Sequence, residues 1–380
     1  MIKNNNLEIY IHIPFCKRKC RYCDFLSFSC SEDVQKRYMD ALKQEITAKS
    51  KAYKSYVVTT IFIGGGTPSI VKPLWIEELM ELVYEHFKVS EDAEITMEMN
   101  PGTVTEESLE IYHAAGINRL SMGLQSANDR ELALLGRIHS FWEFLSAYSS
   151  ARRVGFSNIN VDLMSALPGQ SVKSYTDTLE KVLTLSPPPE HISAYSLIVE
   201  EGTPFYDAYE KGELELPSEE DERLMYEKTG EILKKYGYHR YEISNYAKEG
   251  YECRHNMGYW VRDNYVGFGL GAASMVENQR FSGEKDLGKY LENPLAECEA
   301  EVLSAKEQME EFMFLGLRLI TGVSEKEFKV VFQKEIDEVY GSVLEKHCKE
   351  GLLIREDGRI FLSARGLDLS NYVMADFLLS

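Results

Sequence analysis

Three cysteines lie within eight positions near the start of the chain, in the stretch YIHIPFCKRKCRYCDFLSF. Cys16, Cys20 and Cys23 form the pattern C-x3-C-x2-C. A structural zinc site needs four closed ligands, and His12 or Cys30 would have to supply the fourth. An iron-sulfur cube contains four irons, so three thiolates leave one iron with an open position for a small molecule. Because zinc sites usually combine two separate pairs of ligands, the single tight loop favours an iron-sulfur cluster.

The elements that position this loop are indicated by the hydrophobic pattern of the first half of the chain. Short β-rich apolar runs alternate with segments whose apolar residues have helical spacing. Pro73 marks a helix start, and Gly116 follows a helix end. Strands that alternate with helices predict a parallel sheet, and six such units fit an α/β fold of the incomplete (β/α)6, TIM-like barrel type better than a flat sheet. The strand candidates are residues 8–13, 59–65, 94–99, 119–126, 158–164 and 191–197.

Polar and glycine-rich residues follow the ends of these strand candidates. The cysteine loop comes after the first strand, and the other candidates come after or within the next four. Because active groups of such barrels lie at the carboxyl ends of the strands, we expect all of them to face one mouth of the barrel. The positions are Gly64 to Thr67, Glu98, Asn100, Gln125 and Asp162.

The pattern changes in the second half of the chain. An aromatic and glycine-rich segment, 236–275, breaks the alternation, and a helix face follows from Met309 to Ile320. The tail ends in two short β-like pieces, GLLIRED and GRIFLSARG. We therefore predict two domains, residues 1–300 and residues 301–380, of which the second is a small α+β module similar to a winged helix.

The composition argues against several classes of function. The chain of 380 residues has 42 basic and 61 acidic residues, a net charge of −19, and no cluster of Lys and Arg, so nucleic-acid binding is not expected. Neither an apolar leader nor a run of about 18 apolar residues occurs, so no signal peptide and no integral membrane anchor are expected. Seven mostly scattered cysteines fit a reducing compartment. We expect a cytoplasmic protein.

The segment YIHIPFCKRKCRYCDF resembles the radical S-adenosylmethionine (SAM) enzymes, in the branch that contains oxygen-independent coproporphyrinogen oxidase and the HemW proteins. Later motifs, such as GGGTPS and VDLMSALPGQ, agree with this, and the resemblance spans nearly the whole chain. It implies that Cys16, Cys20 and Cys23 ligate a [4Fe-4S] cluster whose fourth iron is chelated by the amine and carboxylate of SAM. It assigns SAM contacts to Tyr10, Gly65, Gly66, Thr67, Glu98, Gln125, Arg137 and Asp162.

The assigned residue types suit the chemistry of SAM. Glycines let backbone groups approach the methionine moiety, because they carry no side chain. A carboxylate can bind ribose hydroxyls or an ammonium, and Arg137 can bind a carboxylate through two parallel hydrogen bonds. For each position alone, the alternative is a strand-end cap or a surface ion pair. His12 also matches the branch pattern, but a packed, hydrogen-bonded core residue is an equal alternative.

Three features distinguish two functions within this branch. The oxidases carry a fourth cysteine two positions after the third, where this chain has Phe25. They also have a longer lead before the first strand, which this chain enters by residue 8. The segment HNMGYW, residues 255–260, matches an element that the HemW proteins associate with heme binding. All three favour a heme chaperone over an oxidase that uses a 5′-deoxyadenosyl radical to decarboxylate coproporphyrinogen III propionates.

His255 is the candidate heme ligand in this segment. Heme takes an axial imidazole and flat apolar walls, and Tyr259 and Trp260 offer such walls close to His255 in the sequence. The alternative is that His255 and Asn256 cap a turn while Tyr259 and Trp260 fill the barrel mouth. Cys253 is a weaker candidate for a second heme ligand.

The resemblance implies a chaperone that holds heme, the cluster and SAM, and that passes heme to acceptor hemoproteins. Respiratory membrane proteins are among such acceptors, so we expect transient contact with the inner face of the membrane. Cluster assembly fixes an otherwise flexible loop, and we hypothesise that it permits formation of a homodimer or docking of an acceptor.

Overall fold

Six parallel strands, each followed by a helix, form the centre of the computed structural model, which describes residues 5–379. The strands are β1 (Asn6–Ile13), β2 (Val57–Gly65), β3 (Lys88–Met99), β4 (Arg119–Gln125), β5 (Ile159–Ser165) and β6 (His191–Ser196). The helices are α1 (Glu32–Lys49), α2 (Pro73–His86), α3 (Glu106–Ala114), α4 (Asp129–Leu135), α5 (Phe141–Val154), α6 (Val172–Leu183) and α7 (Pro204–Glu210). Neighbouring strands pair in chain order, and every pair is parallel. The predicted incomplete (β/α)6 barrel is confirmed.

Local sequence signals explain where several of these helices begin and end. Pro73 occupies the first position of α2, where a backbone N–H has no helical partner to lose. Thr105 caps α3 by accepting the Ser108 N–H at 3.1 Å. Gly116 follows α3 with φ of +92°, a left-handed conformation that glycine adopts without strain. The predicted start of α2 and the predicted end of α3 are therefore confirmed.

Short strands from the second half of the chain extend the sheet at both edges. The strands are β7 (His239–Arg240), β8 (Asn245–Ala247), β9 (Tyr265–Phe268), β10 (Ala273–Val276), β11 (Gln279–Gly283) and β12 (Glu297–Val302). The helices of this region are α8 (Glu219–Lys235), α9 (Arg254–Val261) and α10 (Leu287–Glu292). Strands β8 and β7 continue the sheet beyond β6, while β9 pairs with β1 in parallel and leads to β10, β11 and β12. The sheet thus has two separate edges, and the barrel is not closed.

The C-terminal segment forms a second, smaller unit with its own core. Its helices are α11 (Ala305–Gly316), α12 (Glu325–Phe332), α13 (Ile336–Lys349), α14 (Ala364–Asp368) and α15 (Ser370–Ala375). Its strands β13 (Val323–Ser324), β14 (Leu353–Glu356) and β15 (Arg359–Leu362) form an antiparallel sheet. The α+β prediction is confirmed, whereas the division between residues 300 and 301 stays a prediction. Across the described residues, none of the helices has both the length and the apolar character that crossing a bilayer requires.

The inside of the barrel is polar. A TIM barrel usually fills this space with layers of Val, Ile and Leu. Here Arg119, Ser121, Asn160 and Asp162 line internal cavities instead. Strand register places Glu98 beside Ser121, and Gly123 beside Asp162, so the sheet itself brings these distant positions together.

Candidate functional site

The cysteine loop closes on itself directly after β1. The Cys16 N–H donates to the Phe28 carbonyl at 3.0 Å, and the Phe28 N–H donates to the Pro14 carbonyl at 2.9 Å. In the middle of the loop, the Arg21 N–H donates to the Leu135 carbonyl at the end of α4 at 3.0 Å. The loop is therefore held at both ends and at its centre by backbone hydrogen bonds.

Arg18 ties the same loop to the residues that follow α4. Its Nη2 donates to the Gly136 carbonyl at 2.6 Å and to the Arg137 carbonyl at 3.1 Å. Gly136 ends α4 with φ of +78° and so turns the chain toward the barrel. This arrangement positions Arg137 beside the cysteines.

His12 anchors the loop from the barrel wall. Its Nε2 lies 2.9 Å from the Leu26 carbonyl, which can only accept, so Nε2 carries the proton. Its Nδ1 then accepts from the Tyr10 hydroxyl at 2.9 Å. Both ring nitrogens are used by the protein, which favours the core-residue alternative for His12 and leaves no lone pair for a metal ion.

A chain of polar contacts connects two of the cysteines. The Cys16 Sγ and the Thr67 Oγ1 lie 3.6 Å apart, and the Asn100 Nδ2 donates to the same Thr67 oxygen at 2.7 Å. Arg137 donates from Nη2 to the Asn100 Oδ1 and from Nη1 to the Cys20 Sγ, the latter at 3.6 Å. Elements β1, β2, β3 and α4 are thereby joined around one site.

The three cysteines line a cavity of about 300 Å³ at the carboxyl ends of the strands. This mouth cavity brings together most of the residues predicted from the sequence. It contains Cys16, Cys20, Cys23, Gly65, Gly66, Thr67, Glu98, Gln125, Arg137 and Asp162. Tyr10 does not line it, because this side chain lies deeper in the barrel, and His255 lies at the opposite end. The SAM assignments of the individual residues stay predictions.

The donor set fits a cluster better than a single ion. Within residues 5–379, no three His, Cys, Asp or Glu side chains converge as ligands of one metal ion. The thiols of Cys16, Cys20 and Cys23 share one cavity wall, and an iron-sulfur cube takes one thiolate for each iron it binds. The three cysteines therefore fit a cluster in which each thiolate binds a different iron.

The glycines of GGGTPS are required by the protein's own packing. A Cβ atom at Gly66 would lie 2.6 Å from the Phe15 carbonyl oxygen, and one at Gly65 would lie 2.4 Å from the His12 ring. Gly65 also has φ of +110°, which side-chain-bearing residues rarely adopt. Gly65 and Gly66 also line the mouth cavity, where they contribute backbone atoms only.

Glu98 and Asp162 give the mouth cavity two partly buried carboxyl groups. Burial, together with the nearby Asp162, raises the pKa of Glu98 to about 7, although its Oε2 accepts the Gly65 N–H at 3.0 Å. Burial likewise raises the pKa of Asp162, whose Oδ1 accepts from the Asn160 Nδ2 at 2.7 Å. A ligand ammonium or hydroxyl placed here would favour the charged forms of both groups.

The end of β6 adds residues that the sequence analysis did not single out. Tyr195, Ser196, Ile198 and Glu200 line the mouth cavity, and the Tyr195 hydroxyl donates to the Gln125 Oε1 at 3.1 Å. The rule that strand ends carry the active groups, applied to the sixth strand candidate, would have found them.

Helix α9, which carries the HNMGYW segment, closes the floor of the barrel. Its first N–H groups donate to a carboxylate of β3: Arg254 N–H to the Glu94 Oε2 and His255 N–H to the Glu94 Oε1, each at 3.2 Å. The Cys253 Sγ also donates to the Glu94 Oε1 at 3.6 Å. Glu94 precedes Glu98 along β3, so α9 lies at the end of the barrel opposite the cysteine loop.

His255 points into the barrel and is 1% exposed. Its Nδ1 hydrogen-bonds the Thr60 Oγ1 at 2.6 Å, and its Nε2 hydrogen-bonds the Tyr259 hydroxyl at 2.9 Å. Burial lowers its pKa to about 3, so the imidazole is neutral at physiological pH. The ring is thus in the protonation state that binds iron, but both nitrogens are occupied. Heme ligation by His255 stays a prediction.

The other residues of α9 connect to different parts of the molecule. Gly258 is required because a Cβ there would lie 2.1 Å from the Glu8 Oε1 on β1. Tyr259 faces the barrel interior, whereas Trp260 packs under the guanidinium of Arg318, which lies 4.2 Å from the ring centroid. The two aromatic rings therefore do not form a pair of walls on one side of His255.

Two regions of the chain match known protein families. Residues 10–182 match the Radical SAM superfamily, and residues 303–369 match the HemN C-terminal domain. The chain is 38% identical to heme chaperone HemW of Bacillus subtilis (strain 168), over 97% of this chain and 98% of that protein. It is 34% identical to heme chaperone HemW of Escherichia coli (strain K12), over 96% of this chain and 98% of that protein.

The fold is similar to that of a solved structure from the same superfamily. Coproporphyrinogen III oxidase (HemN) from Escherichia coli, described as a radical SAM enzyme, superposes with a TM-score of 0.87 and 24% sequence identity. The match covers 98% of this chain and 90% of that chain. At this level of identity, the similarity concerns the fold alone.

Proposed function

Because this chain belongs to the radical SAM superfamily and, within it, to the family of the HemW heme chaperones, we propose that it binds heme and passes it to acceptor hemoproteins. The full-length similarity to proteins named heme chaperone carries this proposal. Phe25 supports it, because the oxidases of the branch have a fourth cysteine at this place in the loop.

Membership of the superfamily implies a [4Fe-4S] cluster and SAM. On our proposal, Cys16, Cys20 and Cys23 hold the cluster, and the polar residues of the mouth cavity hold SAM. The support is geometric, since the thiols, the glycine backbone and the two partly buried carboxyl groups share one cavity. When bound, this pair of cofactors can supply a strongly reducing iron centre beside a sulfonium.

The proposed heme ligand requires a local rearrangement. The His255 imidazole is enclosed by Thr60, Phe62 and Tyr259. Heme ligation therefore breaks the hydrogen bonds of His255 and moves α9 away from the floor of the barrel. Tyr259→Phe removes one of these bonds while keeping the ring, so this variant should bind heme faster than the native protein.

Heme titration of anaerobically reconstituted protein tests the proposal. The native chain is expected to shift the Soret band at a stoichiometry of about one heme, and His255→Ala should weaken this binding. His113→Ala, a change of an exposed histidine on α3, serves as the control for nonspecific binding. An identical titration for His255→Ala and the native chain would remove His255 from the heme site.

The cluster is tested on the same preparation. Reconstituted protein should be brown and contain about four irons and four sulfides, whereas Cys20→Ser should lose the cluster. Assaying the preparation with coproporphyrinogen, SAM and a reductant tests the oxidase alternative. Formation of protoporphyrinogen without stable heme binding would contradict the chaperone proposal.

The acceptors and the assembly state are further parts of the proposal. We propose that respiratory membrane proteins are among the acceptors, that the chain is cytoplasmic and approaches the inner face of the membrane transiently, and that cluster binding promotes a homodimer. The support is the resemblance alone. Size-exclusion chromatography of the native chain and of Cys20→Ser distinguishes a cluster-dependent dimer from a monomer.

A further inference from the structure

A second cavity lies inside the barrel, beneath the mouth cavity. It has a volume of about 260 Å³ and shares Glu98, Ser121 and Asp162 with the space above. Its lower boundary is formed by α9, through His255, Asn256 and Tyr259. Tyr10 and His255, which the assignments above give to SAM and heme, border this lower cavity, but those assignments give no role to Arg119 on its wall.

Arg119 lines the lower cavity and has few hydrogen-bond partners. The residue is 2% exposed, its Nε–H is buried without an acceptor among the described residues, and its Nη1 donates a long hydrogen bond, 3.5 Å, to the Thr96 Oγ1. A guanidinium carries five N–H donors and keeps its charge in proteins. Burying such a cation without an anion is unfavourable, so this side chain indicates a missing partner.

The protein's own acids do not fill this role. Within residues 5–379 no carboxylate forms an ion pair with Arg119, and Glu94 and Asp162 act on it only at longer range. The oxygens of Glu94 already accept the N–H groups at the start of α9. The Asp162 Oδ1 accepts a hydrogen bond from the Asn160 Nδ2. In the part of the chain that the structure describes, nearby acids favour the charge of Arg119 from a distance, but no carboxylate is hydrogen-bonded to its guanidinium and its Nε–H has no acceptor.

The neighbouring polar groups are, by contrast, satisfied among themselves. The Asn160 Nδ2 donates to the Ser121 Oγ at 2.9 Å, and the Asn160 Oδ1 accepts from the Ser193 Oγ at 3.2 Å. Phe62 and Tyr259 supply aromatic surface on the same cavity. The lining thus combines a buried cation with an apolar wall, as small-molecule sites commonly do.

We propose that the lower cavity binds a small molecule bearing a carboxylate, with the carboxylate on Arg119 and an apolar body against Phe62 and Tyr259. A free small molecule is meant, because the lower cavity lies inside the barrel, between the mouth cavity and α9. The bound molecule lies directly beneath Glu98 and Asp162, in the part of the barrel next to the predicted SAM site. This inference does not rest on heme binding, and it is tested without heme; because His255 and Tyr259 border the same cavity, heme ligation by His255 and binding of the carboxylate should compete.

Binding of 4-fluorobenzoate, followed by ¹⁹F NMR on the reconstituted full-length protein, tests the inference. The native chain should bind 4-fluorobenzoate more tightly than the neutral 4-fluorobenzamide. Arg119→Met should weaken benzoate binding roughly tenfold or more, because it removes a charge-assisted pair. Arg153→Met, on the exposed face of α5, should leave binding unchanged.

A second variant keeps the test decisive if Arg119→Met does not fold. Ser193→Leu leaves Arg119 in place but fills the cavity, so it should also abolish benzoate binding while retaining the thermal unfolding transition of a folded protein. Absence of 4-fluorobenzoate binding to the native chain would overturn the proposal. Equal binding of the benzoate and the benzamide, or equal benzoate binding by the native chain and a folded Arg119→Met, would do so too.

Discussion

Glu8 shows how strongly the barrel interior raises the pKa of a single carboxyl group. The carboxyl group is 3% exposed, its Oε2 has no hydrogen-bond partner among residues 5–379, and it lies 3.8 Å from the His255 Nδ1. Burial, reinforced by Asp263 and Glu94, raises the pKa of Glu8 to about 9. The group is therefore neutral at physiological pH, and α9 packs against a protonated acid.

This shift predicts a pH dependence of stability. The folded protein keeps Glu8 protonated up to about pH 9, whereas the unfolded chain releases the proton near 4.5. Stabilisation from the neutral acid is complete below pH 4.5 and is lost as the pH rises toward 9. Glu8→Gln should consequently gain stability relative to the native chain as the pH increases.

Thermal unfolding of both proteins at several pH values between 5 and 9 measures this difference. Glu110→Gln, an exposed change on α3, provides the reference for altering one carboxyl group. A melting-temperature difference between Glu8→Gln and the native chain that is constant across this range would contradict a protonated Glu8.

Gly66 illustrates a residue whose identity is set by its neighbours' backbone. A Cβ at this position would lie 2.6 Å from the Phe15 carbonyl oxygen and 2.9 Å from the Phe15 nitrogen. Gly66→Ala should therefore lower the free energy of unfolding by roughly 1–3 kcal/mol and displace the start of the cysteine loop. Urea denaturation measures the first effect, and cluster content after reconstitution measures the second.

Gly341 is the matched control for this substitution. It lies in α13, and a Cβ at this position would have its nearest neighbouring atom 3.9 Å away. Gly341→Ala should leave stability unchanged or raise it by up to about 1 kcal/mol, because alanine favours helix. If Gly66→Ala and Gly341→Ala had the same effect on the free energy of unfolding, the close contact at Gly66 would not determine the position of the cysteine loop.

At the scale of elements, α9 depends on a carboxylate from another part of the chain. Its N-cap residue, Cys253, supplies no side-chain acceptor to the helix, and Glu94 of β3 accepts the first N–H groups instead. A carboxylate at a helix N-terminus also interacts favourably with the helix dipole. The position of the HNMGYW segment is thus set by strand β3.

Glu94→Ala should loosen α9. It leaves the N–H groups of Arg254 and His255 without acceptors, for an expected loss of roughly 1–3 kcal/mol in the free energy of unfolding. Glu94→Gln retains a carbonyl acceptor and should lose less. Amide hydrogen exchange at residues 254 and 255 localises the effect, and unchanged protection in Glu94→Ala would show that the carboxylate does not hold the helix.

At the scale of the whole molecule, α9 also joins the barrel to the C-terminal unit. Arg262, directly after α9, donates from Nε to the Glu311 Oε2 on α11 at 3.0 Å, and both side chains are less than 10% exposed. Arg280 of β11 pairs with the same carboxylate. Trp260 contacts Arg318 in the same region. Movement of α9 during heme binding would therefore reach the C-terminal unit.

Removing the ion pair between Arg262 and Glu311 should loosen the contact between the barrel and the C-terminal unit. Arg262→Met is expected to lower the free energy of unfolding by roughly 1–3 kcal/mol, less than for an isolated buried charge because Arg280 still neutralises Glu311. Limited proteolysis should then cut faster between residues 300 and 305, near the predicted domain boundary. Arg153→Met, which removes an exposed ion pair with Glu106, should change neither result appreciably.

Short-range sequence patterns were sufficient to predict the repeated βα units of the fold. Alternating β-rich and helical segments predicted the six parallel strands, whereas the iron-sulfur cluster that the cysteine spacing favours stays a prediction. The strand-end rule then predicted a common mouth for Glu98, Asn100, Gln125 and Asp162. These features follow from short-range patterns, because hydrophobic periodicity and the geometry of the crossover connections act within single βα units.

Contacts between distant residues required the three-dimensional structure. The sequence did not indicate that α9 closes the floor, that His255 is enclosed by Thr60 and Tyr259, or that Arg119 faces a cavity without a partner among the described residues. The short strands from β7 to β12 were also missed, since five of the six have at most five residues and none follows the βα alternation of the first half. Burial and hydrogen bonding depend on which side chains contact one another across the barrel. Those contacts are determined by tertiary packing rather than by residues that are adjacent in the sequence.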